Sequence, residues 1–160
     1  EADKLGFLHD MYPDLTIRLV GDAYAERGAL PGLYTALAAA ENPYVAVVAC
    51  DMVFASARLV VAEALAMHES GADVVAPSNK HGFEPFHAIY RRSGCLPAVR
   101  EALNEGEKRA QVFFNQVNVC EFPQKKVLEA EPMGGCFMNA NTPDELAALE
   151  RIIQDRIECE

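Results

Sequence analysis

Hydrophobic and polar residues follow two different periods along the first half of the chain. A short apolar run at residues 45–50 is bounded by turn residues, as in a strand buried on both faces of a parallel sheet, and residues 73–77 begin another strand. Residues 15–20 predict another strand, and residues 33–40 an alanine-rich helix. With a further helix at residues 57–69, this β-α-β-α-β alternation predicts an α/β fold with crossover helices.

The helix at residues 57–69 has clear boundary signals. Ser56 is a suitable cap and Gly71 a suitable end. Apolar residues that include Leu59, Leu65 and Met67 recur at helical spacing, which predicts a stripe that faces the core.

The second half of the chain is less regular. Residues 86–90 predict a strand, with antiparallel pairing as one option, and residues 96–103 an amphipathic helix. Residues 117–122 alternate like a half-buried strand. The last helix begins with Thr142 as cap and Glu145 completing a capping box. Its core-facing residues are predicted to be Leu146, Leu149, Ile153 and Ile157.

Composition narrows the class of protein. The 160 residues suffice for a single domain with a core, predicted to span residues 1–160. A net charge of −10 argues against nucleic acid as a partner. No apolar segment is long enough to cross a membrane, and residues 1–4 carry no signal peptide. Five widely spaced cysteines without a CxxC pair indicate reduced thiols and a cytoplasmic location.

Asp51 is the most informative polar residue because it directly follows the apolar run at residues 45–50. Ligands of open α/β sheets bind outside the carboxyl ends of strands. We therefore predict a three-layer α/β sheet with Asp51 at the carboxyl end of a central strand. A carboxylate there can hold a divalent metal that bridges phosphates. Taken alone, an Asp that simply starts a turn explains the pattern equally well.

Two further segments offer groups for a ligand. Gly28 and Gly32 bracket a turn that leads into a helix with Pro31 in its first turn, and Asp22 lies just upstream. Asp22 is able to accept hydrogen bonds from a base or a ribose, although a solvated loop Asp is the simpler interpretation. Asn139 and Asn141 lie just before the last helix, where Asn is also a common helix-start residue.

Other reactive side chains receive structural interpretations. His87, on the strand at residues 86–90, is interpreted as a packed or hydrogen-bonded histidine rather than a catalyst. Cys50 has no obvious partner base and is interpreted as a small buried residue. The sequence contains no Walker loop and no glycine fingerprint after a strand. Phosphoryl or nucleotidyl transfer remains compatible with these residues, because it needs a metal, positioning and charge neutralisation but no protein nucleophile.

Four separated segments together resemble one family, the molybdenum cofactor guanylyltransferases (MobA-type NTP transferases). Asp22 with residues 28–32 resembles the family's D…GPLxG segment, and residues 49–54 its CDMPF strand end. Residues 82–90 are similar to its GxxEPLxAxY segment, and residues 137–146 to its FxNxNTPEDL ending. The order and spacing match over nearly the whole chain.

The resemblance implies a three-layer Rossmann-like nucleotidyltransferase fold with a mostly parallel sheet. It implies an enzyme that transfers GMP from GTP to molybdopterin cofactor and releases pyrophosphate. By this likeness Asp51 holds Mg²⁺ and is the catalytic residue. Asp22, Gly28, Leu30 and Gly32 contact the nucleotide, and Asn139 and Asn141 lie near the molybdopterin. Molybdoenzyme maturation proteins are implied as partners.

The chain also departs from the family pattern. The family begins with a strand, a glycine-rich loop of the type LAGGxSxRMGxDK and a helix, and no such segment precedes residue 15 here. Val53 replaces the motif proline. We therefore expect residues 1–160 alone to bind GTP with Mg²⁺ more weakly than a complete family member.

Two other functions stay open from sequence. One is another nucleotidyltransferase of the same fold, acting on a cytidylyl or sugar-phosphate substrate. The other is a non-catalytic relative that binds the cofactor without transferring a nucleotide.

Overall fold

The computed structural model of the chain describes residues 2–158, and the side chains of residues 4–152. The helices are α1 (Phe7–Met11), α2 (Ala29–Ala39), α3 (Ala57–Ser70), α4 (Arg92–Asn104), α5 (Gln124–Ala130) and α6 (Pro143–Glu158), with 3-10 turns at Ala2–Leu5 and Val112–Gln116. The strands are β1 (Tyr44–Val48), β2 (Val74–Asn79), β3 (Gly82–Phe83), β4 (His87–Arg91) and β5 (Val119–Pro123).

The five strands form one mixed sheet. β4 lies between β1 and β2 and is antiparallel to both. β2 pairs in parallel with β5, and the short β3 extends β2 in the antiparallel direction. Because β4 opposes both of its neighbours, β1, β2 and β5 point the same way. The antiparallel option for residues 86–90 is confirmed. The mostly parallel sheet that the family resemblance implies is not found, because β2–β5 is the one parallel pairing among the described strands.

Helices cover both faces of the sheet, which gives three layers and confirms the predicted α/β class. On one face α2 and α4 pack against a cluster that contains Val74 and Tyr90. On the other face α3 and α5 pack against a cluster that contains Val75 and Ile89. Neighbouring strand residues thus belong to opposite clusters, as the alternation of side chains along a strand requires.

The strand predicted at residues 15–20 is not formed. Residues 16–22 have no regular secondary structure, and the side chains of Leu15 and Val20 are 62% and 46% exposed. An extended segment becomes a strand only when a neighbour satisfies its backbone groups, and no described strand pairs with this one. Arg18 in this segment forms an ion pair with Glu41, at 2.5 Å.

The prediction that residues 45–50 form a central strand, buried on both faces, is wrong. β1 ends at Val48 and lies at an edge of the sheet, because among the described residues it pairs with β4 alone. Tyr44 is 51% exposed and Val48 40%. Asp51 does follow the carboxyl end of this strand, in a turn rather than a helix.

Helix α3 begins and ends where its boundary signals predict. The Ser56 hydroxyl accepts a hydrogen bond from the Leu59 amide at 3.2 Å, and Gly71 ends the helix with φ of 63°. Leu59 and Met67 are buried, but Leu65 is 61% exposed and is not part of the core-facing stripe.

Helix α6 is closed at its start by the predicted capping box. The Glu145 amide donates to the Thr142 hydroxyl at 3.2 Å, and the Thr142 amide donates back to the Glu145 carboxylate at 3.1 Å. Of the predicted core-facing residues, Leu149 is buried and Leu146 is 42% exposed. Ile153 and Ile157 lie outside the residues whose side chains are described.

Gly94 in α4 permits a close approach to Asp73, and this generates a first prediction. A methyl group at position 94 would lie 2.3 Å from Asp73 Oδ1, whose partner oxygen accepts from the Asn118 amide at 3.1 Å. We expect the free energy of unfolding of Gly94→Ala to be about 1–3 kcal/mol lower than that of Gly32→Ala, because both gain helix propensity but only the methyl group at position 94 meets Asp73. Urea unfolding measures this change. Gly32→Ala is the control, since a methyl group there meets nothing within 4 Å. Equal stability of Gly94→Ala and Gly32→Ala would contradict the prediction.

Candidate functional site

A cavity of about 340 Å³ lies at the carboxyl end of β1 and contains two of the predicted site residues. Asp51 and Asn141 both line it, together with Cys50, Thr142 and Leu146. Residues from the turn after β1 and from the start of α6, far apart in sequence, thus meet in one place.

Backbone pairing brings these two segments together. Met52 and Asn139 form an isolated antiparallel bridge. The Ala140 amide donates to the carbonyl oxygen of Asp51 at 2.9 Å, and the Val53 amide donates to the carbonyl oxygen of Met138 at 3.3 Å. The main chain therefore sets the position of Asp51 relative to Asn139 and Asn141, whose side chains are exposed.

The Asp51 carboxylate has an unsatisfied oxygen. Its Oδ1 is buried and has no hydrogen-bond partner among the described residues, although the residue as a whole is half-buried. A buried polar atom without a partner is costly and calls for a ligand, an ion or a water. The described residues contain no group of three or more His, Cys, Asp or Glu side chains that could hold a metal. A cation at this site would therefore have Asp51 as its carboxylate ligand and take further oxygens from water or a substrate.

The segment that carries Asp22 is hydrogen-bonded to helix α2. The adjacent Ala23 amide donates to the Thr35 hydroxyl at 3.0 Å, and that hydroxyl donates to the carbonyl oxygen of Pro31 at 3.0 Å. Asp22 itself is exposed. Because α2 runs into β1 through a short connection, its first turn faces the end of the sheet that carries Asp51. Asp22 is not among the residues that line the cavity at Asp51.

A second cavity, of about 400 Å³, lies beside this first turn. It is lined by residues that include Tyr24, Glu26, Pro31 and Lys108. The predicted nucleotide segment thus borders a pocket of its own, separate among the described residues from the cavity at Asp51.

The predicted contacts at residues 28–32 differ in their surroundings. The Leu30 side chain is fully buried in the core, and its amide donates to the Lys108 carbonyl oxygen at 3.1 Å. Leu30 is therefore a core residue in this structure. Its burial does not favour the predicted direct contact with a nucleotide. Gly28 has extended backbone geometry, and Gly32 faces open space. The nucleotide roles of Asp22, Gly28 and Gly32 stay predictions.

Sequence analysis missed a buried polar pair behind the site. Glu63 and His87 are both 0% exposed, and Glu63 Oε1 lies 3.0 Å from His87 Nδ1. The Ser56 amide donates to His87 Nε2 at 3.3 Å. The available signal was the spacing of Glu63, four residues from both Leu59 and Met67, which places an acid on the apolar face of α3. The interpretation of His87 as a buried, hydrogen-bonded histidine is confirmed.

The cysteines differ in exposure. Cys50 is exposed in the cavity beside Asp51, which corrects its interpretation as a buried residue. Cys95 and Cys136 are buried, and burial raises the pKa of the Cys95 thiol to about 12. All four cysteines among the described residues are free. Among the described residues no helix is long and apolar enough to cross a membrane.

A three-layer sheet with a carboxylate in a cavity just beyond a strand end is typical of α/β domains that bind ligands at this edge. Residues 6–119 match the model of the MobA-like NTP transferase domain. A molybdenum cofactor guanylyltransferase from Desulfosudis oleivorans is 31% identical over 136 residues, which cover 85% of this chain and 66% of that protein. A probable molybdenum cofactor guanylyltransferase from Chloroflexus aggregans is also 31% identical, over 93% of this chain and 73% of that protein.

A solved structure shares the fold. Molybdopterin-guanine dinucleotide biosynthesis protein A from Archaeoglobus fulgidus superposes with a TM-score of 0.76 at 23% identity, over 92% of this chain and 74% of that one. The chain belongs to the MobA-like NTP transferase family, as its motifs predicted. It spans about two thirds of the length of the curated relatives it matches, 66% and 63% for two of them.

The buried Glu63 generates a second prediction. Burial raises the pKa of Glu63 above its usual 4.5, and the neighbouring His87 opposes this shift without cancelling it. The Glu63 carboxyl therefore stays protonated to a higher pH in the folded state than in the unfolded state. Its contribution to the free energy of unfolding is complete below pH 4.5 and decreases as pH rises. Glu63→Gln lacks this titration.

We expect the stability of Glu63→Gln relative to the native protein to increase as pH rises from 4.5 toward the raised pKa. Urea unfolding at a series of pH values measures the difference. Glu69→Gln, an exposed change on the same helix, is the control. Parallel pH profiles for Glu63→Gln and the native protein would show that Glu63 titrates as it does in the unfolded chain.

Proposed function

We propose that this chain forms the catalytic domain of an enzyme that transfers GMP from GTP to molybdopterin cofactor, with release of pyrophosphate. Membership of the MobA-like NTP transferase family and the names of its relatives support the reaction. The observation that carries the proposal is Asp51, which lines a cavity formed by two of the motif segments and whose buried Oδ1 has no hydrogen-bond partner among the described residues.

Asp51 fits a magnesium ion. Mg²⁺ is usually held by one or two carboxylates and completes its octahedral shell with waters and substrate phosphates. One carboxylate with a free buried oxygen, and no further ligand cluster among the described residues, agrees with that pattern. When bound, the ion neutralises phosphate charge and orients the triphosphate.

The protein residues act mainly by positioning. In the transfer, an oxygen of the acceptor forms a bond to the α-phosphorus, the bond to the β-phosphate oxygen breaks, and pyrophosphate leaves. Such a displacement needs in-line alignment and charge stabilisation rather than a protein nucleophile. Asp51 would hold the magnesium ion that binds the phosphates, and the backbone bridge between Met52 and Asn139 keeps the acceptor segment beside it.

Different segments of the chain serve the nucleotide and the molybdopterin. Asp22, Gly28 and Gly32, beside the cavity at the start of α2, serve the guanine and ribose. Asn139 and Asn141 serve the molybdopterin, because Asn141 lines the Asp51 cavity and Asn139 is bridged to Met52, the residue after Asp51.

The partner and location follow from the same proposal. Molybdoenzyme maturation proteins are the expected recipients of the product. A cytoplasmic location is supported by four free cysteines among the described residues.

The third prediction concerns the Asp51 carboxylate. In the intact protein, we expect Asp51→Asn to lower kcat for GMP transfer on the order of a thousandfold. The metal supplies several kcal/mol to the transition state, at about 1.4 kcal/mol per tenfold. The fold is spared because Oδ1 has no protein partner to lose. Asp10→Asn, on α1, is the matched control.

A magnesium-dependent turnover assay with GTP and molybdopterin measures both variants. Near-normal turnover of Asp51→Asn would remove Asp51 from the mechanism. Equal or faster turnover with CTP would favour a cytidylyltransferase, and binding of molybdopterin without turnover by the native protein would favour the non-catalytic relative.

The fourth prediction uses Cys50 as a probe of the cavity. Its thiol is exposed there, whereas Cys95 and Cys136 are buried. We expect iodoacetamide to label Cys50 readily, and GTP with Mg²⁺ and molybdopterin to slow that labelling. Peptide mass spectrometry follows each cysteine separately, with Cys120 as the internal reference. Labelling of Cys50 that ignores the substrates would place them outside this cavity.

A further inference from the structure

His87 lies directly behind the candidate site and contacts both of its segments. Its Nε2 accepts the Ser56 amide at 3.3 Å, at the end of the turn that begins with Asp51. Its ring also packs edge-on against Phe137, with centroids 5.7 Å apart. Phe137 stands two residues before Asn139. One buried side chain on β4 therefore supports the Asp51 segment and the asparagine segment together.

The hydrogen bonds of His87 define one protonation state of its ring. A backbone amide can only donate, so Nε2 must carry a lone pair rather than a proton. The proton of the neutral ring then lies on Nδ1 and points at Glu63 Oε1, 3.0 Å away. Both side chains are 0% exposed, so bulk solvent does not reach these bonds. Glu63 thus selects the tautomer that can hold the Ser56 amide.

Ser56 is a junction of several bonds. Its hydroxyl donates to Glu131 at 2.8 Å and accepts from the Leu59 amide at 3.2 Å, while its own amide is held by His87. The turn from Asp51 to Ser56 is therefore anchored at its far end to α3, to β4 and to the residue that follows α5.

We propose that His87, held in the Nδ1–H tautomer by Glu63, is a positioning residue that fixes the Asp51 turn against the Asn139–Asn141 segment. This inference rests on the proposed function of Asp51. Loss of the His87 acceptor would free the Ser56 amide and let the Asp51 carboxylate move from its place. A displacement of about 1 Å in a reacting arrangement lowers rates on the order of a hundredfold.

The first test uses the native protein and no activity. Nitrogen-15 NMR of the histidine rings in the intact protein distinguishes the Nδ1–H, Nε2–H and doubly protonated forms. We expect His87 to be neutral with its proton on Nδ1. An Nε2–H or doubly protonated ring at neutral pH would overturn the proposal, whether or not the protein transfers GMP.

The second test separates positioning from folding. His87→Phe and Glu63→Leu remove the acceptor and the group that orients it. We expect each to lower kcat for GMP transfer on the order of a hundredfold, with little change in KM for GTP. His87→Gln and Glu63→Gln keep the hydrogen-bonding groups and are expected to recover most of that loss. His68→Phe and Glu69→Leu, exposed on α3, are matched controls with native kcat.

Hydrogen exchange gives the readout that does not depend on the reaction. We expect His87→Phe to speed exchange of the Ser56 amide about tenfold, roughly the factor for one hydrogen bond, while amides of β2 and α4 keep their protection. A folded His87→Phe with native kcat and native Ser56 exchange would overturn the proposal. Equal losses in His87→Phe and His87→Gln, in step with their global stability, would assign His87 a purely structural role. Absent turnover in the native protein would refute the proposed function alone, because ring tautomer and amide exchange still decide the role of His87.

Discussion

The pairing of β1 with β4 is the constraint on which the site depends. Among the described strands, β1 has no other partner, so the antiparallel register from Tyr44–Arg91 to Val48–His87 decides where the chain delivers Asp51. β4 is well placed to impose that register, because it is buried on both faces and also pairs with β2. The residue at the last paired position, His87, is the same one whose ring holds the Ser56 amide. Backbone pairing and side-chain bonding therefore act on the Asp51 turn from a single residue.

The buried pair of Glu63 and His87 is costly to desolvate, and its effect on the position of the Asp51 turn explains its presence behind the site. Removing one partner of such a pair leaves the other unsatisfied, so the pair contributes more to defining one arrangement than to net stability. Glu63 Oε2 has no hydrogen-bond partner among the described residues, which agrees with a raised pKa for this carboxyl. An apolar pair of similar volume could fill the same space but would leave the Ser56 amide without an acceptor. The Glu63–His87 pair thus lowers the stability of the fold but fixes the position of the Asp51 turn.

The candidate site contains residues that the sequence predicted separately, each from its local pattern. Asp51, Asn139 and Asn141 were singled out as residues at the end of a strand and before a helix, and the structure brings the first and last into one cavity. Their proximity follows from the Met52–Asn139 bridge, which no local pattern encodes, because it joins segments almost ninety positions apart. Leu30 shows the opposite case. It lies inside a motif segment, yet its side chain belongs to the core and its amide bonds to Lys108.

The amino-acid sequence by itself determined the local elements and the family of this protein. Ser56 and Gly71 bound α3, Thr142 and Glu145 close the start of α6, and the order of four motif segments indicated MobA-like NTP transferases, because caps and motifs depend on residues near one another in the chain. Tertiary structure alone decided which apolar runs form strands and which of those strands lie in the centre of the sheet. Residues 45–50 resemble a buried strand but form an edge, and residues 15–20 form no strand, because strand formation depends on a neighbouring backbone rather than on the run itself. It also decided that β4 divides β1 from β2, and that Glu63 meets His87 across 24 positions of sequence, since such partners are chosen by packing in space.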